Sequence, residues 1–228
     1  MNIPCFVGRR CEMRAIAKTL AQGRNLVVTG KYGSGRTRLL RQAARTVCCR
    51  RPFFFTDFSR PPAAVCSQLL KQLQPTREAA AKPVRRSHKI ARRMLLEMKL
   101  AYDRPPVIVL DNVETVTPQR LAFLQELVFA GRFRLVAIAE SFLSAEDLFA
   151  LRAALGAGAL LKLQNLKHAQ AVECFRRFAA EHALDWDEAR ILQLAAASGG
   201  YPLRITETLQ KACEGQKHPC SQRRRGTV

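Results

Sequence analysis

The stretch Val27-Val28-Thr29-Gly30-Lys31-Tyr32-Gly33-Ser34-Gly35-Arg36-Thr37 decides the fold. An apolar run enters a glycine-rich turn in which Gly30 and Gly35 bracket four residues and Thr37 follows in register. That is the spacing of a phosphate-binding loop with one letter changed. Such a loop follows a buried strand, here 25–29, and its glycines let backbone N–H groups curl around a β-phosphate at the positive end of a helix dipole. Gly30, Lys31, Tyr32, Gly33, Ser34, Gly35, Arg36, Thr37 and Arg38 are the candidate phosphate-binding residues. Arg36 stands where the motif has lysine. It keeps the positive charge but offers a wide planar fork instead of a compact ammonium. A glycine-rich strand-to-helix turn without a ligand shows the same local pattern, and the rest of the chain has to decide between the two.

Outward from the loop, short apolar strands alternate with helical stretches, the pattern of a parallel sheet covered on both faces. Helical periodicity predicts helices over 11–22, 37–48, 63–73, 87–102, 118–129 and 144–155. Strands are predicted over 25–29, 52–57, 107–111, 133–139 and 159–163, with a proline-punctuated loop over 74–84. The helix over 87–102 is strongly basic, and Ile90, Met94, Leu95 and Met98 form its expected apolar stripe. After Leu166 the pattern is helical only, over 168–183, 187–198 and 202–213. Residues 1–165 are thus expected to form an α/β nucleotide-binding domain, 166–213 a small helical lid, and 214–228 a disordered basic tail.

Val107-Ile108-Val109-Leu110-Asp111 is the element a phosphate loop needs as a companion: four apolar residues carrying one carboxylate to the end of a buried strand. Asp111 and Thr37 are the candidate Mg²⁺ ligands, directly or through water. Either motif alone is moderate evidence, and the two together make a ligand-free turn improbable.

At this point the chain resembles the AAA+ P-loop ATPases, in the branch shared by initiator-like ATPases, STAND signalling ATPases and the MuB, TnsC and TniB transposition ATPases. The resemblance covers residues 5–213. It rests on the two motifs above, on Phe6-Val7-Gly8-Arg9-Arg10-Cys11-Glu12, and on Gly199-Gly200-Tyr201-Pro202-Leu203. The first of these segments is similar to the family's opening box beside the adenine, and the second to a turn in its helical lid. Val109-Leu110-Asp111-Asn112-Val113-Glu114 is similar to a form found in STAND proteins. The resemblance implies a five-stranded parallel sheet with a helical lid, and ATP with Mg²⁺ lying between them. It further implies Phe6, Val7, Gly8, Arg9 and Pro202 along the base, Ser141 and Arg204 as reporters of the γ-phosphate, and Arg152 as a finger reaching into a neighbouring subunit.

Three positions depart from the family pattern. Arg36 replaces the lysine, Asn112 follows the magnesium aspartate where a water-activating glutamate stands, and Leu203 fills the slot of a sensing arginine. Each removes or displaces a charge that acts on the γ-phosphate in the transition state. Glu114 is the candidate displaced base, and the sequence leaves hydrolysis open.

Charge points to partners. The chain of 228 residues carries a formal net charge of +20. Residues 1–105 hold 23 basic and 5 acidic side chains, whereas 106–228 hold 15 and 13. A cationic field of this kind attracts polyanions, with duplex DNA as the expected partner and a solvated arginine-rich face as the alternative. No helix-turn-helix, zinc-finger or ribonucleoprotein signature accompanies it, so base-specific reading is not expected. A homo-oligomer or a protein partner is also expected, and a STAND-like scaffolding module is the alternative function. The eight cysteines include no Cys-x-x-Cys pair and are read as reduced. No apolar run reaches the length needed to cross a bilayer, and the protein is expected to be cytoplasmic.

Overall fold

The structure is a computed structural model that describes residues 6–46, 51–73, 88–100 and 102–216. The loop expected over 74–84, and the tail beyond residue 216, lie outside the described residues. Along the chain run α1 (Arg10–Ala21), β1 (Leu26–Gly30), α2 (Arg36–Thr46), β2 (Phe53–Asp57), α3 (Pro62–Leu73), α4 (His88–Glu97) and β3 (Val107–Val113). They are followed by α5 (Pro118–Phe129), β4 (Arg134–Ala139), α6 (Ala145–Ala154), β5 (Ala159–Leu163), α7 (His168–Glu181), α8 (Glu188–Ser198) and α9 (Pro202–Gln216). The expected α/β architecture is present: five parallel strands in the order β2-β3-β4-β1-β5.

The carboxylate strand β3 is separated from β1 by β4, which is inserted between them. β1, β4 from Leu135 onward and the first four residues of β3 are buried, which explains why they read as apolar runs. The basic helix is shorter than expected, ending at Glu97. Its buried stripe is Ala91 and Leu95 with Met98 beyond its end, whereas Ile90 is 47% exposed.

The residues divide into two compact units. The sheet unit comprises Arg10–Tyr32 and Arg36–Leu163, and the helical unit takes Gln164 onward together with Arg9 and its preceding residues and Gly33–Gly35. In the sheet unit, α3 and α5 lay Val65, Leu69, Phe123, Leu124 and Leu127 against Ile108, Leu110 and Leu135 of the strands. Thr117 caps α5 by accepting from the Arg120 N–H, with Pro118 at the first helical position. Three of the four described free cysteines, Cys66, Cys174 and Cys213, are buried, and burial pushes the Cys66 thiol up to about 11. They serve as small core residues.

The helical unit packs Phe175, Phe178, Ile191, Ala195, Ile205 and Leu209 around Trp186. α9 continues to Gln216, past the expected start of the tail at residue 214. Gly199 ends α8 in the left-handed conformation, and Gly200 follows at φ 67°. The Leu166 N–H donates to the Gly200 carbonyl at 2.8 Å, so two backbones run in direct contact there. A Cβ on Gly200 would lie 1.9 Å from the Leu166 carbonyl oxygen. Gly200→Ala is therefore expected to cost about 3 kcal/mol of helical-unit stability through the steric clash and the strained backbone. Chemical denaturation followed by Trp186 fluorescence checks this, and an unchanged midpoint would contradict it.

Candidate functional site

β1 delivers the chain into the glycine loop at Gly30, which is buried and paired in register with Leu163 of β5. α2 starts at Arg36, so its first turn directs unpaired backbone N–H groups towards the end of the sheet. Gly33 and Gly35 have φ of 72° and 87°, conformations that side-chain-bearing residues rarely adopt. Around Gly35 a Cβ would meet nothing within 4 Å, whereas at Gly33 it would lie 2.7 Å from the Leu203 Cβ and 2.8 Å from the Tyr201 hydroxyl. Ser34 is 2% exposed, and its Oγ is a buried polar atom with no hydrogen-bond partner among the described residues. Lys31 and Tyr32 are exposed, Tyr32 at 72%, and Arg38 is half-buried on α2.

The expected metal pair is assembled. Thr37 Oγ1 donates to Asp111 Oδ1 at 3.1 Å, and the Asn112 N–H donates to the same oxygen at 3.1 Å. Burial pushes the Asp111 carboxyl above its ordinary value, outweighing these two hydrogen bonds and the nearby Arg41 and Arg36 charges, which pull it down. Among the described residues no group of three or more His, Cys, Asp or Glu side chains could hold a metal. One carboxylate and one hydroxyl suit Mg²⁺, which keeps several waters and shares its coordination with phosphate oxygens. Within the sheet unit the Thr37–Asp111 pair fits the magnesium of a bound nucleotide, and within the helical unit Gly33 and Gly35 keep the left-handed conformations of a phosphate loop around a Ser34 hydroxyl that has no partner among the described residues. Bound there, the metal would supply charge neutralisation of the phosphates.

Arg36 is the exception. Its Nη1 donates to the Ala139 carbonyl at 2.6 Å, and its Nη2 lies 2.7 Å from both carboxylate oxygens of Glu140. The pair is well buried, with side-chain exposures of 7% for Arg36 and 10% for Glu140. The cation at the lysine position is thus satisfied by the end of β4. Ser141, expected to face a γ-phosphate, is exposed in the turn, and the adjacent Glu140 takes the inward place. Sequence reasoning passed over Glu140. Its signal was an acid placed directly after an apolar strand that is buried from Leu135 to Ala139.

The remaining expected residues are dispersed. Asn112 sits at φ 57° and turns its amide to Asp57 Oδ1 at 3.3 Å, and Glu114 is exposed beyond β3. Arg152 is half-buried near the end of α6, with its Nε buried and without a hydrogen-bond partner among the described residues. In the helical unit, Arg9 is 6% exposed and donates to the carbonyls of Ser34 at 3.3 Å and Gln164 at 2.7 Å. The Gly8 carbonyl accepts from Gln170 at 2.8 Å, Val7 packs on the helical core, and Phe6 is half-buried. Arg9 thus ties the main chain of Ser34 to that of Gln164. Pro202 opens α9, while Arg204 is exposed on it and borders a cavity of about 330 Å³ lined by Leu194, Ser198 and Lys211.

The Asp111 carboxyl binds a proton more readily in the folded chain than in the unfolded one, so its ionised form weakens the fold at neutral pH. That loss fades as the pH falls below its raised value. Asp111→Asn is expected to melt at a higher temperature than wild type at neutral pH, with the difference shrinking on acidification. Thermal unfolding by circular dichroism across that range is the check, and a lower melting temperature at neutral pH would contradict it.

Comparison with known proteins follows the same lines. An AAA domain family model matches residues 19–144, more than half of the chain, and no curated protein matches significantly. Among solved structures, the Orc1 protein of Aeropyrum pernix in complex with DNA is similar at 19% identity and a TM-score of 0.73, over 98% of this chain and 64% of that one. The RuvB Holliday junction branch migration motor of Thermotoga maritima is similar at 14% identity and 0.60, over 92% of this chain and 63% of that one. A STAND protein of Pyrococcus horikoshii with a tetratricopeptide repeat sensor is similar at 17% identity and 0.60, over 100% of this chain and 31% of that one. The chain spans just under two thirds of the Orc1 and RuvB chains, and the likeness to all three is one of fold. With the glycine loop leading into α2, Asp111 at the end of the sheet, and a family model spanning both, the chain belongs to the AAA domain family of P-loop ATPases.

Proposed function

We propose that this protein is an ATP-binding AAA+ switch that uses Mg²⁺ and associates with duplex DNA, as a regulator of the transposition or recombination kind typified by MuB, TnsC and TniB. The observation that carries the nucleotide half is the 3.1 Å contact between Thr37 and Asp111 at the mouth of the glycine loop. Gly33, Ser34, Gly35 and Thr37 cradle phosphate through backbone N–H groups and hydroxyls, and Asp111 holds the metal. In this reading residues 1–165 form the nucleotide-binding domain and 166–213 its lid, with Phe6, Val7 and Pro202 towards the base.

Charge carries the DNA half. Arg10, Arg14, Lys18, Arg24, Arg41, Arg45, Lys89 and Arg93 are all exposed on the sheet unit. Phosphate contacts by such side chains give sequence-independent, salt-sensitive binding. Support also comes from a neighbour in fold that is described in complex with DNA. Self-assembly on the polymer and a cytoplasmic setting complete the proposal, and no helix among the described residues is long and apolar enough to cross a membrane.

The second reading is a STAND-like scaffolding module in which bound nucleotide sets conformation and the partner is a protein. The engaged Arg36 favours it, because a cation held by Glu140 is not free to stabilise charge on a transferring phosphoryl group. A nucleotide at a hundred times its Kd adds about 2.7 kcal/mol of stability to the state that binds it. Mg-ATP or Mg-ADP at saturating concentration is accordingly expected to raise the melting temperature of wild type and not of Asp111→Asn. No shift with either nucleotide would refute the switch. Gel-shift titration at low salt is expected to show nucleotide-dependent binding of duplex DNA that weakens steeply as salt is raised. A protein that ignores DNA at low salt in both nucleotide states leaves the scaffolding reading standing.

A further inference from the structure

We propose that Glu140 makes this a diphosphate-selective site: the chain holds nucleoside diphosphate with Mg²⁺ more tightly than the triphosphate, and the Arg36–Glu140 pair is the determinant. The inference rests on the nucleotide-binding reading above and deepens it. In a glycine loop of this spacing, the residue at the Arg36 position reaches the β/γ-phosphates, while the backbone cradle holds the phosphates nearer the nucleoside. The two parts of the site have different fates here. In the sheet unit the metal-holding pair, Thr37 on Asp111, is retained. The outer end carries a guanidinium with three acceptors already on it, both Glu140 oxygens and the Ala139 carbonyl.

Electrostatics then discriminates between ligands by their last phosphate. A buried arginine–carboxylate pair, here with both carboxylate oxygens on one guanidinium nitrogen, is close to neutral as a unit. A γ-phosphate brought to Arg36 meets a carboxylate about one guanidinium away, in surroundings where charge–charge repulsion is far stronger than in water. To use Arg36, the triphosphate has to displace Glu140, leaving a carboxylate without its partner in a poorly solvated place, which is the costly way to break such a pair. A diphosphate reaches the cradle and the metal pair without disturbing it. Arginine at the lysine position and glutamate at the end of β4 are thus a matched exchange: the acid neutralises the cation that lysine would offer to the terminal phosphate.

Isothermal titration of the full chain with ADP and with ATP, each with Mg²⁺, tests this. Wild type is expected to bind ADP at least about tenfold more tightly than ATP. Glu140→Gln keeps an acceptor for Arg36 and removes the charge, so ATP is expected to gain about tenfold while ADP changes by less than about twofold. Arg36→Lys/Glu140→Gln is the second variant, expected to bind both nucleotides comparably, and its melting curve establishes that it is folded. Equal affinity of wild type for the two nucleotides overturns the proposal, as does a preference for ADP that survives in both variants. Failure of wild type and both folded variants to bind either nucleotide overturns the nucleotide-binding reading itself, and this inference with it.

Discussion

The salt bridge from Arg36 to Glu140 is the constraint on which the geometry of the sheet's loaded edge depends. It joins the first residue of α2 to the residue immediately after β4, and a further bond to the Ala139 carbonyl ties the same guanidinium to the last residue of that strand. α2 leaves β1 and must cross towards β3 for Thr37 to meet Asp111, with β4 lying between the two strands. Arg36 fixes that crossing at its midpoint. A buried ion pair of this kind contributes less to net stability than its short distances suggest, because both groups give up hydration. Its contribution is geometric: with the fork engaged at both nitrogens, the start of α2 has one orientation relative to the strands.

Much of this was legible in the sequence because several levels of pattern agreed. The apolar runs of β1 and β3, the glycines at positions 30, 33 and 35, and the carboxylate after four buried residues each specify the same fold. Thr37 and Asp111 were paired by motif alone and meet as expected. What escaped was everything that depends on strand order. The sequence lists the strands in chain order, and nothing in it says that β4 enters between β1 and β3. Without that, Glu140 and Arg36 are 104 residues apart and unrelated. Ser141 was expected here from the family resemblance; Glu140, the residue immediately after β4, reaches Arg36, and Ser141 is exposed in the turn that follows.

The helical unit shows the same limit in another form. Glycines at 199 and 200 were recognisable as a turn, and the structure gives the reason Gly200 has no alternative, since a backbone crosses where its Cβ would be. Arg9 read as a residue lining the base in a family-like box, and the structure adds that one of its terminal nitrogens donates to the carbonyls of Ser34 and Gln164. A sequence shows that an arginine is present; it does not show whether main-chain oxygens have already claimed it. Arg36 is buried and paired with Glu140, so the formal charge of the chain overstates the cations left to meet a phosphate. The exposed arginines and lysines of the sheet unit make up the field that a polyanion would meet.

The central claim is that the loop's cation is consumed within the protein by Glu140. A double-mutant cycle in thermal or chemical unfolding tests it most directly, using Arg36→Met, Glu140→Gln and the combination. Each single change strands a partner, so Arg36→Met is expected to cost about 3 kcal/mol and the double change clearly less than the sum of the two singles. A coupling energy above about 1.5 kcal/mol is the predicted result. Strict additivity would mean that Arg36 and Glu140 do not hold each other in solution, and would contradict the account.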